Sequence, residues 1–517
     1  MLAWWRRHLA AGQAAGSRFH DVGVSRQSPL EKTMNSFGWI DWGIIGAYLI
    51  GTMVAGLAMR RYVGKVEHFI VAGREMDIYL GIASLAATEF GIITAMYTAE
   101  LGFKNGFAGA TPGILMAVAM AVVGWTGFVI NPLRNSGALT IPELLDRKFG
   151  MRVRWLSGVV IVLGGLLNMG VFLRIGGEFL MIVSGIPLKH LEMTMTVLLL
   201  AVLVYTTLGG MLSVLVTDYL QFIIMGIGLV VVSVLVAMHV SWASLVDGVQ
   251  SRLGDGAFNP LVSPEMGVPY VLWQALNQLA VVLTWQTVIQ RVLASRDAHV
   301  ARQVYIKTSF FFVGRFLIPA FWGMAALVAL DASKMPANSL HAMPTFLATL
   351  LPTGLIGLVI ASMLATEMST DASYLLTWSS ILYNDIVAPV RKKPFSERQG
   401  LYVNRLIILA IGVFLLFYGL WYQLPGRVWD YLSITGNIYL SSISVLVVAC
   451  CYWKRANRIG AMAAIVGGAL APILFLIAGW SQHVAIAGLA SFGLAAGGMI
   501  LGSLLTPSEK EEQMVAI

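Results

Sequence analysis

Ile360-Ala361-Ser362-Met363-Leu364-Ala365-Thr366-Glu367-Met368-Ser369-Thr370-Asp371-Ala372-Ser373 decides how this chain is read, because it sets acids and hydroxyls inside an apolar run from about 354 to 382. A helix over that run is long enough to cross the hydrocarbon of a bilayer. At helical spacing Thr366, Ser369, Thr370 and Ser373 fall at i, i+3, i+4 and i+7 and share one face. Glu367 and Asp371 form a neighbouring i, i+4 column. A charged side chain at membrane depth costs roughly 2.5–3.5 kcal/mol, so such groups face a cavity, an ion or a partner. Oxygen-only ligands suit hard cations. The stretch predicts a cation held in the middle of a membrane.

The composition agrees. Hydrophobic residues make up 58% of the chain and charged residues 12%, with a mean hydropathy of +0.78. A soluble domain is nearer one quarter charged. The chain reads as an all-α polytopic membrane protein. Its two cysteines, Cys450 and Cys451, are adjacent and supply no disulfide framework, so they read as packing residues.

Apolar spans lie near 37–58, 78–103, 108–130, 155–183, 191–209, 214–238, 269–290, 307–330, 353–382, 403–422, 431–452, 459–480 and 484–506. That is about thirteen transmembrane helices. The turn at Gly209-Gly210-Met211 divides 191–238 into two. Lys and Arg concentrate in alternate loops. These hold Arg60, Arg61, Lys65 and Arg74; Arg134, Arg147, Lys148, Arg152 and Arg154; Arg291, Arg296, Arg302 and Lys307; Arg391, Lys392, Lys393 and Arg398; and Lys454, Arg455 and Arg458. The opposite loops hold Lys104, Lys189, Arg252, Lys334 and Arg427. The basic side is cytoplasmic by the positive-inside rule, which puts the C-terminus in the cytoplasm of a plasma-membrane protein. This asymmetry accounts for the net charge of +8 without nucleic acid. Residues 1–33 are basic and lack the apolar core of a secretory signal, and Met34, just before the first apolar run, reads as the biological start.

Other intramembrane polar groups mark candidate chemistry. Glu89 sits amid small residues and is followed by Gly91, a composition that permits a local helix break freeing backbone carbonyls. Asp218 begins the span after the Gly209-Gly210 turn, where a carboxylate either caps a helix or serves a site. Arg174 and Glu178 at i, i+4 read as a structural ion pair, and Arg315 as the neutraliser of an acid the sequence does not identify. Trp285, followed by Gln286, is suited to stacking on a ligand, although tryptophans also form membrane-interface belts. The eight histidines form no ligand-spaced cluster, so no transition-metal site is expected. There is no phosphate-binding glycine loop and no nucleophile elbow.

Several motifs together resemble the sodium/solute symporter family, which includes proline, sialic acid, sugar and choline transporters. They are Gly209-Gly210-Met211 through Thr217-Asp218 and Gln221, Trp285 through Arg291, and Ala365 through Ser380. Gly73-Arg74 and Thr98-Ala99-Glu100 add to the likeness, which spans about 38 to 506. The resemblance implies a leucine-transporter-like fold of two inverted five-helix repeats, at 78–238 and 269–452. Around them stand an N-terminal extension (1–36), a first peripheral helix (37–58), two C-terminal peripheral helices (459–506) and a tail (507–517). It implies a sodium site built from the carbonyls of Ala87, Phe90 and Thr366 and the hydroxyls of Ser369 and Thr370, with Asp218 and Asp371 as further sodium residues. Thr88, Glu89, Trp285 and Gln286 are the expected substrate contacts and Glu367 the coupling group. The motifs lie nearest the choline-transporter branch, which implies a nitrogen-containing solute such as an amine, quaternary amine or amino acid.

The expected function is sodium-coupled import by alternating access, not enzymatic catalysis. Sodium is the bound and transported ion, with no organic cofactor. The partners are a small-molecule solute and membrane lipid, not nucleic acid, and the chain is expected to act as a monomer. A proton- or sodium-coupled monocarboxylate or sugar transporter is the alternative. A transporter-like sensor, an intramembrane enzyme and a passive channel are rivals of other classes. An enzyme would need a nucleophile or metal set that the sequence lacks.

Overall fold

Protein encloses 89% of the most apolar stretch of Leu355–Val390 but only 28% of the corresponding stretches in Trp39–Ala58 and Val484–Leu505. The helix that carries Glu367 and Asp371 is therefore the axis of the molecule, and the first and last helices are its lipid-facing rim. This computed structural model describes residues 37–62, 65–391, 393–422, 424, 426–479 and 483–506. The 1–36 extension, the expected start at Met34 and the 507–517 tail lie outside the described residues.

Helix α1 spans Trp39–Ala58. An interrupted helix follows, as α2 (Ile78–Glu89) and α3 (Ile92–Asn105). Then come α4 (Thr111–Thr126), α5 (Met151–Met169), α6 (Phe172–Ser184) and α7 (Leu191–His239). A second interrupted helix forms α8 (Gly267–Thr284) and α9 (Gln286–Ala294). It precedes α10 (Ala298–Ala329), α11 (Leu355–Ile381), α12 (Glu397–Trp421) and α13 (Val428–Tyr452). α14 (Arg458–Ala478) and α15 (Val484–Leu505) complete the described chain.

Among the described residues, ten continuous helical stretches are long and apolar enough to cross a membrane. The expected thirteen are not reproduced as continuous spans, because several are broken or run together. α7 would be more than twice the thickness of a hydrocarbon core if straight. Gly210, at φ 54 and ψ −150, divides it into arms at 191–209 and 211–239, where the Gly209-Gly210-Met211 turn was expected.

Small residues let the helices close up. A Cβ on Gly102 of α3 would stand 2.2 Å from the Ala320 carbonyl oxygen, and one on Gly323 of α10 1.9 Å from that of Ala99. The two helices meet backbone to backbone, the contact that small side chains permit within a membrane. Arg174 and Glu178 pair at 3.2 Å as their spacing predicted, and His341 Nε2 lies 3.0 Å from the other Glu178 oxygen. Cys450 and Cys451 are free thiols, partly buried. One expectation is overturned: Arg291, counted among the cytoplasmic loop residues, is 1% exposed and belongs to α9. Its place between apolar residues and a run of basic ones concealed this.

Asp41 fastens the rim to the axis. Its Oδ1 accepts from the Gly354 and Gly357 amides at 2.8 and 2.6 Å, and its Oδ2 from the Gly38 amide at 2.8 Å. A carboxylate on α1 thus caps the start of α11, favourably placed at the positive end of that helix's dipole. Asp41→Ala strands these donors, so it is expected to destabilise the protein by about 1–3 kcal/mol in detergent unfolding titrations. Unaltered stability would mean the cap contributes nothing.

Candidate functional site

The α2/α3 break follows from local sequence. Phe90 takes φ −119 and ψ 76, and Gly91 is extended at φ −84, ψ 172, before helix resumes at Ile92. A Cβ at Gly91 would stand 2.9 Å from Thr370 Oγ1, so glycine is what lets α11 approach the break. The break leaves backbone groups open to other partners, and α11 supplies them. Thr370 Oγ1 donates to the Thr88 carbonyl at 2.8 Å. Glu367 Oε2 accepts from the Ile92 amide at 2.9 Å, a carboxylate on the N-terminus of α3. Its second oxygen, Oε1, is buried without a hydrogen-bond partner. A Cβ on Gly176 of α6 would reach within 2.9 Å of that oxygen.

The expected sodium residues Ala87, Phe90, Thr366, Ser369, Thr370, Asp218 and Asp371 are all buried. Ala87 and Phe90 flank the end of α2, opposite the Ser369–Thr370 face of α11. Thr366 Oγ1 donates to the Met363 carbonyl of its own helix at 2.7 Å. Ser369 Oγ donates to Asp218 Oδ1 at 2.5 Å. The other Asp218 oxygen accepts from Ser84 Oγ at 2.5 Å and lies 3.2 Å from Arg291 Nη2.

Beside the break lies a cavity of about 70 Å³ lined by both interrupted helices together with α5, α10, α11 and α13. Thr88, Glu89 and Trp285, three of the four expected substrate contacts, line it. Gln286 does not: it is buried in the first turn of α9, and its Nε2 bonds back to the Thr284 carbonyl at 3.3 Å. The reason is the second helix break. Trp285 takes φ −62 and ψ 117 between α8 and α9, and the chain's turn there sends consecutive side chains in different directions. Trp285 stacks on Tyr439 with centroids 6.1 Å apart and packs edge-on to Tyr374 and Trp378. The Tyr97–Trp429 pair, 4.9 Å between centroids, also lines the cavity.

Arg315 identifies its acid here. Its Nη1 lies 3.4 Å from Glu89 Oε2, and Thr287 Oγ1 donates to Glu89 Oε1 at 2.6 Å. Arg315 Nη2 also donates to Thr94 and Tyr97. The Arg315 Nε, Trp285 Nε1 and Trp429 Nε1 donors, the Asn277 Oδ1 acceptor and the Ser433 hydroxyl are buried, unpartnered and carried by residues lining the cavity. Of these, Asn277, Trp429 and Ser433 were missed by sequence reasoning. Nothing local distinguishes them from packing residues in other apolar spans.

A model of the sodium:solute symporter family matches residues 69–468. The chain belongs to the sodium:solute symporter family. It is 24% identical over 497 residues to the rabbit (Oryctolagus cuniculus) sodium/glucose cotransporter 1, covering 88% of this chain and 74% of that one. It is 26% identical over 489 residues to the sodium/myo-inositol cotransporter 2 of the same species, covering 84% and 70%. The sodium/sialic acid symporter SiaT of Proteus mirabilis is 21% identical over 459 residues, covering 84% and 88%. The solved outward-open structure of a Na+-coupled sialic acid symporter aligns with a TM-score of 0.79 at 20% identity, over 92% of this chain and 99% of that one. The fold is therefore the leucine-transporter-like fold of sodium-coupled symporters. The protein is a membrane-embedded, sodium-coupled solute symporter, not an enzyme.

Breaking the Glu89–Arg315 pair from one side leaves a buried charge. Arg315→Met is expected to destabilise the protein by about 3–5 kcal/mol, and Arg315→Met with Glu89→Gln by clearly less. Unfolding titrations of the single and double variants check this. Equal losses would mean the two charges are not coupled.

Proposed function

We propose that one sodium ion binds between α2 and α11, held by the carbonyls of Ala87, Phe90 and Thr366 and the hydroxyls of Ser369 and Thr370. The observation carrying this reading is the open end of α2 facing the two hydroxyls, with Thr370 already bonded to the Thr88 carbonyl. Such carbonyl and hydroxyl oxygens suit a hard monovalent cation. Glu367 and Asp371 are buried on the same helix, and a cation bound beside them favours their charged forms. Glu367, bonded to the α3 amide at the break, is the group that couples ion occupancy to helix position.

The solute occupies the cavity against Thr88, Glu89 and Trp285. An amine is disfavoured, because the carboxylate that would attract it is already ion-paired with Arg315. An uncharged, polyhydroxylated solute fits better. Hydroxyl groups match the unpartnered donors, acceptor and hydroxyl, and an aliphatic ring face packs on the aromatic rings. The names of the glucose and inositol relatives favour the same class.

Transport then follows alternating access between two inverted repeats, 78–238 and 269–452, each opening on an interrupted helix. Ion and solute favour the same conformation, so each raises affinity for the other. At 100 mV, inside negative, an entering charge contributes about 2.3 kcal/mol. The chain acts as a monomer in the plasma membrane with its C-terminus in the cytoplasm.

Ser369→Ala and Thr370→Ala each remove an ion ligand. Each is expected to raise the sodium concentration for half-maximal transport roughly tenfold, a loss of about 1.4 kcal/mol, while Ser369→Ala, outside the cavity lining, leaves solute affinity at saturating sodium little changed. Uptake into proteoliposomes at graded sodium checks this. An unaltered sodium dependence in the folded double variant would remove the ion from this position.

A further inference from the structure

Asp218, expected among the sodium residues, already has a cation. It is fully buried, and both carboxylate oxygens are engaged, Oδ1 by Ser369 and Oδ2 by Ser84 and Arg291. Arg291 comes from α9, a different part of the fold, and is itself 1% exposed. Its Nη2 reaches Thr88 Oγ1 at 2.6 Å, Ser373 Oγ at 2.7 Å and Asp218 Oδ2 at 3.2 Å. Its Nε donates to Ser84 Oγ at 3.1 Å and its Nη1 to the Thr287 carbonyl at 3.1 Å. The guanidinium head thus sits inside a shell made of a carboxylate, three hydroxyls and a carbonyl. Without the guanidinium, that shell is an oxygen-only set of the kind that takes a hard cation.

We propose that Arg291 is a tethered cation filling the Asp218 position, so that the wild type binds no sodium there, and that neutralising Arg291 converts the position into a monovalent-cation site. One carboxylate charge is balanced by one guanidinium charge, and a sodium ion added to the same shell meets a like charge in a low-dielectric interior. A guanidinium also suits the position better than an ammonium would, because its planar fork serves several acceptors at once. Asp218 then acts on the transported ion only through Ser369. It accepts a hydrogen bond from that hydroxyl, which leaves the oxygen's lone pairs for the ion site between α2 and α11.

The proposal rests on the reading that sodium binds beside Ser369 and Thr370. Its test is the number of radioactive sodium ions bound per purified protein at saturation. Arg291→Met keeps the stem and vacates the head, and it is expected to bind one ion more than the wild type. Asp218→Asn combined with Arg291→Met returns to the wild-type number. An unchanged count in Arg291→Met overturns the proposal. So does an unchanged count in Arg291→Gln, whose neutral amide keeps a polar group in the shell and which keeps the test available if Arg291→Met does not fold. A wild type that binds no sodium defeats the symport reading instead, and the difference between Arg291→Met and wild type is still read separately.

Discussion

An uncompensated charge is hard to hold in the middle of a membrane, and the interior of this protein is arranged around that constraint. Glu89 is offset by Arg315 and Asp218 by Arg291, each pair joining helices distant in sequence. Asp41 takes backbone amides in place of a cation, and so does one oxygen of Glu367. The other Glu367 oxygen is left without a partner, and Asp371 is buried on the same helix. On the proposed reading, a sodium ion beside Ser369 and Thr370 would lie next to these two acids, whose charged forms it would favour.

The interrupted helices turn this electrostatic need into geometry. A continuous α2–α3 helix would use its carbonyls internally and offer none to an ion. The break at Phe90 and Gly91 frees them, and the lack of a side chain at Gly91 admits Thr370. The second break, at Trp285, turns an indole into the cavity while α9 carries Arg291 back into the core. Ion site, cavity and Arg291 cluster share residues: Thr88 and Thr370 line the cavity, and Thr88 also bonds Arg291.

Much of this was legible in the sequence. The hydroxyl face of α11, the weak point beside Gly91, the Gly210 bend and the Arg174–Glu178 pair each follow from spacing along a single helix, where periodicity is informative. What escaped depends on contacts between helices. Arg291 follows an apolar helix and precedes other basic residues, so counting charges assigned it to a loop. The break at Trp285 has no glycine or proline to announce it. The acid facing Arg315 lies on another helix, and only the folded chain identifies it as Glu89. That pairing leaves Glu89 without a free charge to offer an amine.

Solute uptake into proteoliposomes under an inward sodium gradient, compared with an equal potassium gradient at the same membrane potential, tests the central claim most directly. A panel of labelled monosaccharides and polyols serves as the probe. Accumulation above the outside concentration with sodium, abolished when the gradient is collapsed, is the predicted result. Accumulation that proceeds equally well in potassium would contradict an ion site built for sodium between α2 and α11.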